Sequence, residues 1–133
     1  HAHPAAIRLL LRAKPPDKVI LVTDSIAGTG IPPGIVEFQG RKIRFSEREA
    51  RLMDGTLAGS VLTMDQALRN LMEITGRPVH DLYPYTSTNA ARVLGLADRK
   101  GGIRPGMDAD LVLLDDSMQV QMTLVSGKII YQR

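Results

Sequence analysis

The sequence contains no cysteine and no tryptophan. Without cysteine, the chain cannot build a disulfide framework, use a thiolate nucleophile or bind a metal through sulfur. It has no apolar run near the roughly 20 residues that a membrane-spanning helix requires, and its first residues do not resemble a signal peptide. These absences favour a globular protein in a reducing compartment. We therefore expect a cytoplasmic protein that does not associate with membranes.

Neither basic nor acidic residues are in large excess. The sequence has 17 Lys and Arg residues and 14 Asp and Glu residues, which gives a formal net charge of +3. Two small basic clusters occur at residues 41–44 and 48–51, but the whole chain has only three Tyr and two Phe to accompany them. Because stacking platforms for nucleic acid need aromatic side chains, we predict solvated basic faces and no nucleic-acid partner. A small ligand that carries a phosphate remains compatible with this balance.

The hydrophobic pattern predicts helices alternating with strands. A helix should begin at Pro4, where a missing amide is tolerated, and should end before Pro15 and Pro16. The apolar, β-forming run at residues 19–23 then predicts a strand buried on both faces, as in a parallel sheet. This order is typical of an α/β layer architecture. Three more helices are predicted, at residues 63–76, 78–83 and 87–95.

Short strands dominate the remaining segments. Hairpins are predicted around Gln39-Gly40 and around Ser126-Gly127, and a strand is predicted over residues 109–114. The glycine-rich stretch at residues 27–34 and the small-residue stretch at 54–60 are typical of loops. Because the chain finishes in strands rather than in another helix–strand unit, we predict a domain boundary near Ala97.

Asp24 is the leading candidate for chemistry. It ends the predicted buried strand and is followed by small residues, so we expect partial desolvation of its carboxylate. A carboxylate in that setting can accept and return a proton. The pattern supports a turn or capping role about equally well, because Asp-Ser is a common loop pair.

The three histidines are weaker candidates for a functional site. On a strand, His1 and His3 would face the same side and could hold a divalent metal. However, His3 is also predicted to cap the first helix and no third ligand lies nearby, so the structural interpretation is favoured. His80 is predicted to be a surface residue. The small residues at 54–60 would let a ligand approach the backbone, although a plain turn explains that pattern somewhat better.

Two motifs stand out, VTDSIAGTG at residues 22–30 and DGTLAGS at residues 54–60. At this separation they resemble the N-acetylglucosamine-6-phosphate deacetylases of the amidohydrolase superfamily. The segment GGIRPGMDADLV at 101–112 resembles the superfamily's return into a small β-sandwich, and STNAA at 87–91 resembles the helix before it. The resemblance covers essentially the whole chain. It implies the C-terminal part of a metal-dependent-hydrolase (β/α)8 TIM barrel over residues 1–96, followed by strands of a small β-sandwich domain over residues 97–133.

The resemblance also implies an activity. Members of that family hydrolyse the N-acetyl group of N-acetylglucosamine 6-phosphate, giving glucosamine 6-phosphate and acetate in amino-sugar catabolism. Asp24 would be the catalytic acid/base that takes a proton from a metal-bound water and returns it to the leaving amine. His1 would polarise the acetamido carbonyl, and Leu57, Ala58 and Gly59 would contact the sugar, largely through their backbone.

The same resemblance implies a divalent metal ion, zinc, iron or similar, whose Glu and His ligands lie outside this chain. The family's phosphate-binding Arg would also lie upstream. We therefore expect a fragment that is inactive alone and that belongs to a homo-oligomer, a dimer, when full length. Ser25 stands where the family commonly has Ala or Gly, which should mainly affect loop packing. Two alternatives remain: another amidohydrolase-superfamily hydrolase, or a non-catalytic binding or assembly module.

Overall fold

The computed structural model describes residues 2–47 and 49–133. Contacts divide the chain into two compact units, one of His1–Leu21 with Leu68–Arg133 and the other of Val22–Ala67. Helices and two small antiparallel sheets make up these units, so the predicted α/β class is confirmed. The domain boundary near Ala97 stays a prediction. Among the described residues, no helix has both the length and the apolar character to cross a membrane.

Helix α1 (Pro4–Ala13) forms where the sequence predicts it. Pro4 occupies the first turn, and His3 Nδ1 accepts a hydrogen bond from the amide of Ala5 at 3.2 Å. This bond satisfies one of the amides that a helix start leaves without a partner. Lys14 is extended, with φ −109°, and a short 3-10 turn follows at Pro16–Lys18. The predicted capping role of His3 is confirmed.

Three further helices are α2 (Met64–Thr75), α3 (Val79–Thr86) and α4 (Thr88–Val93). Helix α2 ends at the predicted glycine, because Gly76 has φ 67° and its amide bonds to the carbonyl of Met72 at 2.8 Å. Helix α3 is longer than predicted. His80 lies on it with its side chain 77% accessible, which confirms the predicted surface position.

Four buried residues form the core of the larger unit: Leu68, Leu71, Leu82 and Tyr85. The apolar side of α1 packs against this core, as its spacing predicts. The partly buried residues around the core are Ile7, Leu11, Val19, Leu21, Met72, Val79 and Leu114.

The prediction of a buried strand over residues 19–23 is wrong for the described chain. Val19 is extended, with φ −119°, but these residues join no sheet of the described chain. Val22 is 65% exposed. A parallel strand is stable only between neighbouring strands, and the apolar run at 19–23 cannot indicate whether such neighbours exist.

Helices α3 and α4 hold this extended segment instead. The amide of Leu21 donates to the carbonyl of Tyr85 at 2.8 Å. Asn89, which is only 3% exposed, donates through Nδ2 to the carbonyls of Pro16 and Val19 at 2.8 and 2.7 Å. A buried amide with two such bonds is satisfied, so Asn89 fastens the segment firmly.

The unit Val22–Ala67 contains an antiparallel sheet in the order β1 (Gly34–Phe38), β2 (Arg41–Phe45), β3 (Ala50–Leu52) and β4 (Leu57–Gly59). The predicted hairpin of β1 and β2 is confirmed. Strand β3 was not predicted, and β4 corrects the expectation of a loop over residues 54–60. Both strands have three residues, which is too short for alternation to identify them.

Ile43, Phe45 and Ala50 form the buried core of this sheet. Arg41, Lys42 and Arg44 on the same hairpin are exposed, as expected for a solvated basic face. The apolar residues that pack on the core are Ile26, Leu52, Ala58 and Val61. The segment after Asp24 therefore belongs to the same packed unit as β4.

The last three strands form a second antiparallel sheet, in the order β5 (Leu111–Leu114), β6 (Val120–Val125) and β7 (Lys128–Gln132). The predicted hairpin around Ser126-Gly127 is confirmed, and β5 is two residues shorter than predicted. All five residues of β7 are exposed.

Candidate active site around Asp24

Asp24 has a left-handed backbone, with φ 51°. Among residues 2–47 and 49–133, the other non-glycine residues with positive φ are Gln39, Met118 and Ser126, and each lies in the connection between two antiparallel strands. Asp24 is different because it lies in no hairpin and immediately precedes a residue paired with another segment. Asp tolerates this conformation better than most residues, but it still requires support from its surroundings.

That support comes from a short parallel pairing. Ser25 forms a parallel bridge with Ser60, and the amide of Ile26 donates to the carbonyl of Ser60 at 3.0 Å. The Ser25 hydroxyl donates to the carbonyl of Leu62. Ser60 is 7% exposed and its Oγ accepts a hydrogen bond from the amide of Leu62 at 2.9 Å. The segment after Asp24 is thus bound to the segment after β4.

Gly59 lies directly against the side chain of Ile26. It has φ 156°, and a Cβ added there would overlap Cγ2 of Ile26. Only glycine fits this backbone conformation and this spacing. Ala58 packs into the core of the unit, whereas Leu57 is 42% exposed. The predicted site residues Asp24, Leu57, Ala58 and Gly59 therefore lie in one unit, with Asp24 and Gly59 each preceding a bridged residue.

The turn between β3 and β4 is closed by Asp54. Its Oδ1 accepts the amide of Thr56 at 2.9 Å, and the amide of Leu52 donates to the carbonyl of Thr56 at 2.8 Å. The hydrogen bond from Thr56 holds the pKa of Asp54 below its ordinary value. Asp54 is thus a turn residue that stays ionised, which agrees with the simpler interpretation of this motif.

Arg51 is committed to a neighbouring contact. Its Nε and Nη2 donate to the two carboxylate oxygens of Glu49 at 2.7 and 2.8 Å, and its Nη1 donates to the carbonyl of Gly55 at 2.7 Å. The hydrogen bonds from Arg51 lower the pKa of Glu49. This bidentate pair straddles the start of β3, so Arg51 contributes to the geometry of the sheet rather than to an open basic patch.

The structure corrects the expected desolvation of Asp24. Both Asp24 and Ser25 are exposed, because the apolar run before them is not covered by other strands in the described chain. The carboxylate is therefore accessible to a ligand or to water from solvent.

The other predicted site features are not brought to Asp24. His1 lies outside the described residues, so its substrate-binding role stays a prediction. His3 caps α1 through Nδ1. Among residues 2–47 and 49–133, no group of three or more His, Cys, Asp or Glu side chains is arranged to hold a metal ion. These residues therefore do not fit a metal centre by themselves.

A family model described as Amidohydrolase family matches residues 4–130. The chain belongs to the amidohydrolase family. Among its curated relatives, a Bacillus subtilis (strain 168) protein named N-acetylglucosamine-6-phosphate deacetylase is 42% identical over 131 residues. That match covers 98% of this chain and 33% of the relative. This amidohydrolase chain thus spans about a third of the length of that relative.

A shorter relative and a solved structure extend the comparison. An Escherichia coli (strain K12) protein named putative N-acetylgalactosamine-6-phosphate deacetylase is 33% identical over 129 residues, which cover 97% of this chain and 77% of that relative. The crystal structure of N-acetylglucosamine-6-phosphate deacetylase from Thermotoga maritima matches with a TM-score of 0.85 at 35% identity. It covers 100% of this chain and 36% of the Thermotoga chain.

Sequence reasoning missed Ser25, Ser60 and Leu62 as partners in the site. Two of the bonds that join them use main-chain atoms, which carry no side-chain signature. The available signal is Gly59, because a glycine within a strand often marks a position that another segment approaches closely, as Ile26 does here.

Proposed function

We propose that this chain is the C-terminal part of an N-acetylglucosamine-6-phosphate deacetylase, an amidohydrolase that releases acetate from N-acetylglucosamine 6-phosphate in amino-sugar catabolism. The single observation that carries the proposal is the pairing of Ser25 with Ser60. It joins the motif at residues 22–30 to the motif at residues 54–60, the two motifs that resemble this family. The names and identities of the relatives support the same substrate class.

The proposal includes the architecture of the complete enzyme. Residues 1–96 would be the last part of a (β/α)8 TIM barrel, and residues 97–133 would be strands of a small β-sandwich. The likeness to the Thermotoga maritima structure supports this placement. In that setting residues 19–23 would gain neighbouring strands, and Asp24 would stand at the carboxyl end of a barrel strand, where barrel enzymes carry their catalytic groups.

Asp24 would carry the proton during hydrolysis. Water attacks the carbonyl carbon of the N-acetyl group, and one of its protons passes to the Asp24 carboxylate. When the carbon–nitrogen bond breaks, Asp24 returns that proton to the sugar nitrogen, which leaves as a neutral amine, and acetate forms. Leu57, Ala58 and Gly59 would contact the sugar through their backbone, and His1 would polarise the carbonyl oxygen.

The family is generally metal-dependent, and we place the ligands of a divalent ion such as zinc or iron outside this chain. The described residues hold no suitable group of metal-binding side chains. The complete enzyme is expected to be a homodimer, and the isolated chain is expected to be inactive.

The test uses the complete protein that carries this chain. Asp24→Asn should lower the rate of acetate release by about a hundredfold to ten-thousandfold, since it removes the proton carrier but not the shape of the side chain. Asp116→Asn is the matched control, because Asp116 is an exposed aspartate in the turn after β5. It should leave the rate unchanged. Near-normal turnover by the Asp24→Asn variant, with wild-type folding, would contradict the proposed role.

A second candidate substrate is N-acetylgalactosamine 6-phosphate. Two Escherichia coli relatives at 33% identity have names that refer to that sugar. The ratio of kcat/KM for the two epimers decides between them. Equal hydrolysis of N-acetylglucosamine without its phosphate would instead favour another kind of amidohydrolase, and an absence of any hydrolysis would favour a binding or assembly module.

A further inference from the structure

The left-handed backbone of Asp24 needs a restraint, because a residue with a side chain relaxes out of this conformation when its neighbours permit. In a hairpin such as the one at Gln39, the two paired strands supply that restraint. At Asp24 no paired strand precedes the residue in the described chain. Thr23 Oγ1 accepts the amide of Ser25 at 3.4 Å, and the remaining restraint comes from bonds of the residues that follow.

Two bonds attach Ser25 and Ile26 to the segment after β4. The first joins main-chain atoms, from the Ile26 amide to the Ser60 carbonyl at 3.0 Å. The second is a side-chain bond, from the Ser25 hydroxyl to the Leu62 carbonyl. Leu62 is a fixed anchor, because its own amide donates to Oγ of the buried Ser60 at 2.9 Å. The Ser25 hydroxyl therefore attaches the residue next to Asp24 to a rigid part of the unit.

We propose that Ser25, which stands where the family commonly has Ala or Gly, is a positioning residue particular to this chain: its hydroxyl bond to Leu62 holds Asp24 in the left-handed conformation that presents its carboxylate for proton transfer. This inference rests on the proposed function, since it assigns Ser25 a role through the proposed proton carrier. Loss of the hydroxyl bond loosens the Ile26–Ser60 pairing without abolishing it, and it lets the Asp24 backbone rotate. A displaced carboxylate transfers protons more slowly, while contacts between the sugar and the Leu57–Gly59 strand persist.

A double-mutant cycle in the complete protein tests the role. Ser25→Ala should lower kcat about five- to thirtyfold with KM within about twofold of wild type, and Ser25→Thr, which keeps the hydroxyl, should restore most of kcat. In the Asp24→Asn background, Ser25→Ala should have no further effect beyond about twofold. An equal loss of kcat in both backgrounds, or an unchanged kcat in the single variant, overturns the proposal.

Ser46→Ala is the matched control. Ser46 lies in the same unit, and its hydroxyl donates to the carbonyl of Glu49 at 2.9 Å and accepts from the amide of Glu49 at 3.1 Å. The substitution therefore removes at least as many hydroxyl bonds to main-chain atoms, away from Asp24. It should leave kcat unchanged. A loss of kcat equal to that of Ser25→Ala would reduce the effect to general loosening of the unit and would overturn the proposal.

A measurement without catalysis separates this inference from the proposed function. Hydrogen exchange of the Ile26 amide should be about tenfold faster in Ser25→Ala than in wild type, and it should be normal in Ser25→Thr and Ser46→Ala. If the wild-type protein releases no acetate but this exchange pattern holds, the proposed function is wrong and the restraint of the Asp24 segment by the Ser25 hydroxyl is supported. Unchanged exchange at Ile26 in Ser25→Ala shows that the Ser25 hydroxyl does not restrain this segment, whatever the activity.

Discussion

The sheet of β1–β4 and the sheet of β5–β7 are both antiparallel, and each contains a hairpin whose turn ends in glycine. Their packing differs greatly. Ile43 and Phe45 in β2 are 6% and 4% exposed, whereas Ile129 and Ile130 in β7 are 55% and 63% exposed. Similar local signals therefore build similar hairpins, but they do not determine which apolar side chains receive a covering layer.

Each sheet is stabilised by a different kind of interaction. The β1–β4 sheet has an apolar cover from its own unit, including Ile26 just after Asp24. The β5–β7 sheet is fixed at its hairpin by polar bonds, since Asp110 Oδ1 accepts the amide of Ser126 at 2.8 Å. Lys100 forms ion pairs with Asp108 and Asp110 at the entry to β5. Burial stabilises the first sheet, while hydrogen bonds and charge contribute more to the second.

The largest expected difference between the sheets comes from the same substitution made in each. Ile43→Ala should destabilise the β1–β4 sheet by about 3 kcal/mol, because it leaves a cavity in a closed core. Ile129→Ala should cost less than about 1 kcal/mol, because that side chain is already largely in solvent. Urea unfolding followed by amide exchange in each sheet measures both. Equal costs would show that β7 is covered in solution and would remove the contrast.

The sequence predicts the elements whose signals are local. Helix α1 follows from Pro4 and the apolar stripe behind it, and both hairpins follow from the glycine in their turns. The prediction of a strand at residues 19–23 is wrong because an apolar run shows that a segment needs to be covered, not whether neighbouring strands are present. Strands β3 and β4 are missed because three residues are too few to show a periodic pattern.

The candidate site also has features that the sequence predicts and features that it does not. Asp24 and the Leu57–Gly59 segment were identified from their residue types and from the family resemblance. Their juxtaposition through Ser25 and Ser60 was not predictable, because it depends on a main-chain pairing between segments 35 positions apart. The expected desolvation of Asp24 also depended on strands that the described chain lacks.

A smaller effect should distinguish the sheets by pH. Hydrogen bonds from Lys100 lower the pKa of Asp108 and of Asp110 below the ordinary value of 3.8. A carboxylate with a depressed pKa in the folded state contributes stability that is present above its ordinary value and is lost as pH falls through the lowered value. Lys100→Gln should therefore destabilise the β5–β7 sheet at pH 7, and this effect should vanish in acid once the pH has fallen through the lowered pKa values of Asp108 and Asp110.

Exchange rates in β5 and β6, compared across that range, measure the loss. Lys128→Gln on the exposed strand β7 is the control and should show no such pH dependence. An effect of Lys100→Gln that persists unchanged into acid would mean that the lysine acts through packing of its carbon chain and not through its charge.

The smallest effect should be the same in both sheets, because it depends on the turn alone. Gln39 and Ser126 have φ 52° and 50°, and the glycines after them have φ 73° and 76°. Asn adopts this backbone conformation more readily than Gln or Ser, so Gln39→Asn and Ser126→Asn should each stabilise their hairpin by about 0.5 kcal/mol. Amide exchange in β2 and β7 provides the measurement. A gain in the covered sheet without one in the exposed sheet would mean that the hydrogen bond from the Ser126 amide to Asp110 already offsets the strain of that turn. In an Asp110→Ala background, which lacks this acceptor, Ser126→Asn should then stabilise the hairpin.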